Sequence, residues 1–229
     1  MQTDKIIVLD LDSTIISTST DMQLYYQLYD NPLVKDRLYT FELVDASNEI
    51  PGTGNICTMW GITRPYLNKF LQFIDKYFAE VRVWSAGQYK YVHAIVNVLY
   101  ARLPELRRPT IIKTYDNCIF QKSNIYKHLN TFSPHEQSKL IALDDRADTF
   151  SQNPENGIQI SVYEPVMLIQ DILRGEVSLL QLMCWLLIPK IRHTVDIRTL
   201  NKNHIFKITL PTYLKCLQSG HFQDINYLI

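Results

Sequence analysis

The sequence predicts an α/β fold built on a doubly wound parallel β-sheet. Two continuous apolar runs, residues 5–9 (KIIVL) and 139–143 (KLIAL), each lead into acidic residues. A third run, residues 81–84, lies between them and ends at Ser85. Unbroken apolar runs are typical of parallel strands that are covered on both faces, and helical segments separate these three. At 229 residues, the chain can form one such domain with a substantial core.

The segment between the strands at residues 5–9 and 81–84 predicts a small insertion followed by a helix. Residues 21–38 are typical of a short helix and a loop. Residues 39–44 alternate as a strand does, and a turn at residues 51–55 (PGTGN) predicts a β-hairpin whose returning strand covers residues 56–60. Residues 64–78 predict a helix, because their apolar side chains recur with the helical period.

The rest of the chain repeats the alternation of strand and helix. A helix is predicted over residues 89–100 and a short strand over residues 110–113. Residues 177–188 predict a buried helix, because this apolar stretch is too short to span a bilayer, and we expect no membrane contact. Little more than a helix and a strand fits between Ser85 and Lys127, so we expect no large cap domain.

Charge and cysteine usage narrow the function classes. The 23 Lys and Arg side chains balance 23 Asp and Glu, and no basic stripe is present, so direct nucleic-acid binding is not expected. The scattered cysteines (Cys57, Cys118, Cys184 and Cys216) show no zinc or redox spacing and predict reduced core thiols. With no signal-peptide pattern near the N-terminus, we expect an intracellular protein, in the nucleus or the cytoplasm.

Oxygen-bearing side chains cluster where the predicted strands end. Asp10 and Asp12 follow the first strand, Ser85 the second, and Asp144 and Asp145 the third. Open parallel sheets bind ligands beyond the carboxyl ends of their strands, so these residues are candidates for one site. Acids held together need a proton or a hard divalent cation, and an all-oxygen set favours Mg²⁺. Either acid pair alone is a weak signal, since such pairs more often cap a helix or lie in a solvated turn.

The motifs around these residues resemble those of a known phosphatase superfamily. Residues 10–14 (DLDST) are similar to the D-x-D-x-T signature of haloacid dehalogenase phosphatases. The closer resemblance is to the small phosphatases of the RNA polymerase II C-terminal domain, the NLI-interacting-factor-like proteins, which carry an Fcp1 homology domain. It rests on residues 63–71 (TRPYLNKFL), 83–87 (VWSAG), 117–129 and 143–158.

The resemblance covers about residues 5–200 and implies a haloacid dehalogenase-like fold with a small β-hairpin insertion and no large cap. Residues 1–200 are therefore expected to form the phosphatase domain, and residues 201–229 a C-terminal extension of unknown role. The isoleucine and asparagine usage and the short form are similar to those of copies encoded by large DNA viruses.

The resemblance also implies a role for each candidate residue. Asp10 would be the nucleophile that forms an aspartyl-phosphate, and Asp12 would be the general acid and base. That role requires the pKa of Asp12 to lie well above that of Asp10. Ser85 and Lys127 would bind the phosphoryl group, and Tyr91 would contribute to substrate binding, although packing in the core is an equal alternative for Tyr91.

The metal site implied by the resemblance uses both acid pairs. Mg²⁺ would be held by Asp10, the backbone carbonyl of Asp12, and Asp145, with Asp144 acting through a water molecule. The family often has Asn at the position of Asp145, and either side chain supplies an oxygen.

Three positions deserve comparison with the family pattern. Ser85 stands where Thr is usual, and the hydroxyl is kept. The family often has an Arg that helps bind substrate just before Asn117, whereas this chain has Thr-Tyr-Asp at residues 114–116, which leaves the peptide preference open. Lys122 is an alternative to Lys127 as the phosphate-binding lysine, and the motif favours Lys127.

The resemblance thus implies a magnesium-dependent protein serine/threonine phosphatase. The resemblance implies a phosphorylated protein or peptide as its partner, with the RNA polymerase II C-terminal domain as the family substrate. Two alternatives are a catalytically weak module that binds phosphoproteins and a phosphatase that acts on a nucleotide or a nucleic-acid 3′ end. Intact Asp10 and Asp12 argue against the first, and the neutral charge balance argues against the second.

Overall fold

The computed structural model describes residues 2–45, 52–165, 172 and 175–220. Its strands are β1 (Ile6–Leu9), β2 (Ile16–Ser19), β3 (Leu38–Val44), β4 (Ile56–Thr63), β5 (Glu80–Trp84), β6 (Ile111–Lys113), β7 (Ile119–Gln121), β8 (Asn124–Tyr126), β9 (Leu140–Asp144) and β10 (Gly157–Gln159). The α-helices within the described residues are α1 (Met22–Leu28), α2 (Leu67–Tyr77), α3 (Tyr89–Ala101), α4 (Ser178–Leu187), α5 (Pro189–Arg192) and α6 (Leu210–Ser219).

The predicted parallel sheet is confirmed. Strands β10, β9, β1, β5 and β6 lie side by side in that order, and each neighbouring pair is parallel. Leu9 lies opposite both Leu143 of β9 and Val83 of β5. Asp10, the residue directly after β1, is therefore level with Asp144, and Ser85 lies just beyond the end of β5. This register explains why the oxygen-bearing residues meet at one edge.

Both faces of the sheet are covered, as the unbroken apolar run of β1 predicts. Ile7 and Leu9 belong to the main core, which also contains the buried faces of α2, α3 and α4. Val8 points to the opposite face and belongs to a smaller cluster with Trp84 and Phe132. Alternate residues of a strand point to opposite faces, so both coverings are needed to bury the whole strand.

Helix α2 begins later than the sequence predicts. Its buried residues Leu67, Phe70, Leu71, Ile74 and Tyr77 follow the predicted helical period. Residues 64–66 are not helical, because Tyr66 adopts a left-handed conformation with φ of 67° directly before the first turn. The predicted helices over residues 89–100 and 177–188 are confirmed as α3 and α4.

The β-sheet of the insertion between β1 and β5 has one strand more than the predicted hairpin. The predicted hairpin is present as the antiparallel pair β3 and β4, and β4 extends to Thr63. Within its predicted turn, Gly52 and Gly54 have φ values of 84° and 72°, while Pro51 lies outside the described residues. Strand β2 adds to the free edge of β4 and was not predicted, because ISTS carries little apolar signal.

Three other strands were also missed. Strands β7 and β8 form a short antiparallel hairpin, and β10 is the outermost strand of the main sheet. Each has three residues, which is too short for a period of two to stand out in the sequence.

The described part of the C-terminal region packs onto the main core. Tyr213 and Cys216 of α6 are buried in the cluster that contains α4, and the Tyr213 hydroxyl donates to the carbonyl of Ile205 at 2.9 Å. Residues 221–229 lie outside the described residues, and the domain boundary at residue 200 stays a prediction. No helix in the described part of the chain is both long enough and apolar enough to cross a bilayer.

The four cysteines are free thiols, but only two of them are core residues. Cys184 and Cys216 are buried, whereas Cys57 and Cys118 are half-buried. The prediction of core thiols is wrong for the latter two, because Cys57 lies on the insertion and Cys118 directly precedes the exposed hairpin β7 and β8.

Candidate active site

A cavity of about 650 Å³ opens at the carboxyl ends of β1, β5 and β9. Six of the seven predicted site residues line it: Asp10, Asp12, Ser85, Lys127, Asp144 and Asp145. The seventh, Tyr91, lies behind this lining and contacts Asp12. Lys122 lies on the exposed turn between β7 and β8 with φ of 56°, outside the cavity lining.

Lys127 joins the two buried acids at the floor of the cavity. Its Nζ lies 2.7 Å from Oδ1 of Asp10 and 2.6 Å from Oδ2 of Asp144. Burial raises the pKa of Asp10, and the Lys127 ammonium opposes that rise. Burial together with the charge of Asp10 raises the pKa of Asp144 to about 6. Two carboxylates in turn raise the pKa of Lys127, so its ammonium stays charged.

The loop after β1 places Thr14 between the two acid pairs. Ser13 adopts a left-handed conformation with φ of 58°, and the buried Thr14 follows it. The Thr14 hydroxyl donates to Oδ2 of Asp10 at 2.8 Å and accepts the Asp145 backbone N–H at 3.0 Å. One hydroxyl therefore fixes the orientation of Asp10 and the position of the loop after β9.

A buried arginine also holds the loop after β1 in place. Arg64 is 1% exposed and donates to the carbonyl of Thr14 at 2.7 Å. Two further nitrogens of its guanidinium bond to the carboxylate of Glu176 at 3.0 and 3.3 Å. Burial alone would raise the pKa of Glu176, but the hydrogen bonds and charge of Arg64 hold it below its ordinary value.

Asp12 has neutral partners instead of a lysine. The Tyr91 hydroxyl donates to Oδ1 of Asp12, and the Thr18 hydroxyl lies 2.9 Å from the Tyr91 oxygen and 3.3 Å from the same Asp12 oxygen. Tyr91 uses its single hydrogen on Asp12, and the single Thr18 hydrogen can be donated either to the Tyr91 oxygen or to the same Asp12 oxygen. Among the described residues, these side-chain contacts leave Oδ2 of Asp12 free to hold a proton.

Burial raises the pKa of Asp12 as it does that of Asp10. Burial alone therefore does not provide the separation of pKa values that an acid and a nucleophile require. Their contacts differ, since the Lys127 ammonium bonds to Asp10 whereas the hydroxyl groups of Tyr91 and Thr18 bond to Asp12, and both kinds of contact oppose the rise in pKa that burial causes.

The hydroxyl group of Ser85 can donate a hydrogen bond to a ligand in the cavity. It is 2% exposed and lines the cavity, and its Oγ accepts the backbone N–H of Gly87 at 3.0 Å. A serine oxygen that accepts this bond keeps its own hydrogen for another partner. The loop after β5 can thus offer an O–H to an anion in the cavity.

The donor set fits a hard divalent cation. Asp10, Asp144 and Asp145 each offer one carboxylate oxygen, and these oxygens lie within 4.8 Å of one another. Three carboxylates outnumber the single ammonium of Lys127, so one positive charge does not balance the group. Oxygen ligands and an excess of negative charge are what Mg²⁺ binds in proteins.

Thr14, Thr18 and Arg64 have functional contacts that the sequence alone did not predict. Thr14 closes the D-x-D-x-T signature, and Arg64 opens the R-P motif, so their place in these motifs was the signal available. Thr18 stands outside every motif, and only its pairing with Tyr91 in the folded chain reveals it.

A sequence model of the NLI interacting factor-like phosphatase family matches residues 5–183. The chain belongs to this family. The resemblance inferred from the motifs is confirmed, and the family match covers β1, the insertion, the strands that carry the acid pairs and part of α4. No curated protein sequence matches the chain.

Two solved structures share the fold of this chain. One is the fission yeast RNA polymerase II CTD phosphatase Fcp1 bound to beryllium fluoride, with 22% identity, a TM-score of 0.57, and coverage of 71% of this chain and 42% of that one. Another is Fcp1 described as an essential RNA polymerase II CTD phosphatase, with 19% identity, a TM-score of 0.59, and coverage of 97% and 64%. The present chain therefore spans less than two thirds of the length of either of these proteins.

Proposed function

We propose that this NLI interacting factor-like phosphatase removes phosphate from phosphoserine or phosphothreonine in protein, with Asp10 as the nucleophile. The observation that carries the proposal is the position of Asp10. It lies at the cavity floor, with one carboxylate oxygen on the Lys127 ammonium and the other on the Thr14 hydroxyl. A carboxylate so held is oriented and ionised, as a nucleophile must be.

The reaction runs in two displacements. In the first, an Asp10 oxygen attacks phosphorus and the bond to the seryl oxygen breaks, while Asp12 gives that leaving oxygen its proton. In the second, Asp12 takes a proton from water as the water oxygen attacks the aspartyl-phosphate, which releases phosphate and restores both carboxyl groups. Ser85 and Lys127 would donate to the phosphoryl oxygens in both steps.

The acid groups would also hold Mg²⁺. Asp10 and Asp145 would bind it directly with the backbone carbonyl of Asp12, and Asp144 would bind through water, consistent with the oxygens that Asp10, Asp144 and Asp145 bring within 4.8 Å. When bound, Mg²⁺ supplies positive charge next to the phosphoryl oxygens. Lys127 and Thr14 orient Asp10 for the attack.

A protein substrate is supported by the small size of the insertion. Within the described residues, the chain between β1 and β5 consists of a three-stranded sheet, α1 and α2, with no further domain over the cavity. An open cavity admits a segment of another protein. Both similar solved structures are described as RNA polymerase II CTD phosphatases, so we propose a phosphorylated tail of that kind as substrate.

Phosphate release from a phosphoserine heptad-repeat peptide and from a generic phosphoester tests the proposal. We expect release from both with Mg²⁺, none with chelator, and none from the Asp10→Asn variant. Lys122→Ala, on the exposed turn, is the matched control and should keep full activity. Tight peptide binding by the unaltered chain without release would instead favour a phosphoprotein-binding module.

A further inference from the structure

An exposed aromatic pair flanks the candidate active site. The rings of Tyr115 and Phe120 are stacked with their centroids 4.4 Å apart, and the two residues are 41% and 42% exposed. Covering exposed aromatic rings with an apolar group is favourable, so such a pair next to a cavity is a candidate contact surface.

Backbone contacts tie this pair to the cavity wall. In the hairpin, Phe120 lies directly opposite Ile125, and opposite residues of antiparallel strands project from the same face. Ile125 lines the cavity, as does Lys127 two residues further on. The backbone N–H of Tyr115 donates to the carbonyl of Gly87, another lining residue, at 2.8 Å. Ile125, Phe120 and Tyr115 therefore form one apolar strip that leads outward from the cavity.

We propose that this strip, residues Tyr115, Phe120 and Ile125, selects phosphoprotein substrates with a large apolar side chain next to the phosphorylated residue. The inference rests on the proposed protein phosphatase function. With the phosphoryl group against Lys127, a neighbouring side chain of an extended peptide reaches Ile125 first and the aromatic pair next. Tyr115 is thus a specificity-determining residue.

The charges around the strip favour a peptide over a nucleobase. Sites that stack bases combine aromatic rings with a positively charged groove that follows the phosphate backbone. The charged residues nearest the strip are Asp116 and Lys122, together with the ion pair of Arg146 and Asp148 that bonds to the hairpin backbone, and these four carry no net charge. An apolar side chain needs only the ring faces, which the strip offers.

Two phosphoserine peptides test the inference. They differ only in the two residues on each side of phosphoserine, which are leucine in one and alanine in the other. For the unaltered chain, we expect kcat/KM for the leucine peptide to exceed that for the alanine peptide about tenfold, through KM, because an apolar contact on aromatic rings contributes roughly that factor. Tyr115→Ala and Phe120→Ala should each reduce this ratio to about twofold or less.

Two controls separate ring contact from other effects. Tyr115→Phe keeps the ring and should keep the ratio. Tyr26→Ala removes an exposed tyrosine from α1, which does not line the cavity, and should also keep it. Each variant is judged by its own ratio of kcat/KM for the leucine peptide to kcat/KM for the alanine peptide. A general loss of activity lowers both values and leaves this ratio unchanged.

Failure of the inference and failure of the proposed function give different results. Equal kcat/KM for both peptides, or a ratio that Tyr115→Ala leaves intact, overturns the inference and leaves the phosphatase proposal standing. Hydrolysis of a generic phosphoester without hydrolysis of either peptide overturns the protein substrate and the inference with it. Loss of activity of Tyr115→Ala on a nucleoside 3′-monophosphate, with the peptide ratio unchanged, would show that the strip stacks a base.

Discussion

The ammonium group of Lys127 lies 2.7 Å from a carboxylate oxygen of Asp10, and both groups are buried. These residues are far apart in the sequence and meet because Lys127 directly follows β8, whose hairpin borders the cavity at the edge where β1 ends. The contact gives Asp10 a charged partner that Asp12 lacks. In our account, this difference assigns the nucleophile and the acid.

Replacement of Lys127 should therefore affect both activity and stability. Lys127→Met leaves Asp10 and Asp144 buried without a cation, which should destabilise the fold by about 3–5 kcal/mol. It should also lower kcat by at least about 100-fold, since a charged donor to the phosphoryl group is lost. Urea unfolding and steady-state kinetics measure the two effects. Lys122→Met should change neither, and a larger effect of Lys122→Met would contradict the assignment.

Thr14 should matter through its hydroxyl and not through its volume. Thr14→Val keeps the shape but leaves the Asp145 N–H and an Asp10 oxygen without this partner. A loss of about 1–3 kcal/mol in unfolding free energy is expected for a buried donor left unpaired, together with lower kcat. Thr14→Ser keeps the hydroxyl and should recover most of the activity. If both variants behave alike, the hydroxyl has no such role.

Tyr91 should act on turnover more than on binding. It contacts Asp12 and does not line the cavity, so Tyr91→Phe should lower kcat several-fold and leave KM nearly unchanged. The substrate-binding role implied by the family resemblance predicts the opposite split, with a raised KM. Tyr89→Phe, at an exposed position at the start of the same helix, is the matched control. Steady-state kinetics with one phosphopeptide distinguishes the two roles.

The ion pair of Glu176 with Arg64 should give a pH-dependent contribution to stability. Because the pKa of Glu176 is lower in the folded chain than in the unfolded chain, its contribution is present above the unfolded value and is lost as the pH falls through the folded value. Glu176→Gln should cost about 1.5–3 kcal/mol at pH 7, and this difference should shrink toward pH 3. Denaturant unfolding of both proteins across this range measures it. A difference that stays constant with pH would contradict the ionic character of the contact.

The sequence alone predicted the parts of the fold that carry strong periodic or continuous apolar signals. The strands at residues 5–9 and 139–143, and helix α2 with its buried face, were predictable for this reason. The short strands β2, β7, β8 and β10 were not, because pairing with a neighbour decides the conformation of three or four residues. Without β7 and β8, the position of Phe120 opposite Ile125 could not be foreseen.

The candidate site likewise contains contacts that could be predicted from the sequence and contacts that could not. Asp10, Ser85 and Asp144 were predictable as neighbours, because parallel strands end together at one edge. The contacts of Thr18 with Tyr91 join residues on β2 and α3, and no local pattern encodes them. The role of Tyr91 was left open for this reason, and the folded chain places its hydroxyl on Asp12.

The most direct test of the central claim is detection of a phosphoryl group on Asp10. The Asp12→Asn variant should still accept phosphate from an aryl phosphate, whose leaving group needs no proton, but it should release that phosphate slowly. After acid quench, peptide mapping by mass spectrometry should find phosphate on Asp10, and hydroxylamine should remove it as expected for an acyl phosphate. Phosphate on a different residue, or multiple turnovers with Asp10 never modified, would contradict the account.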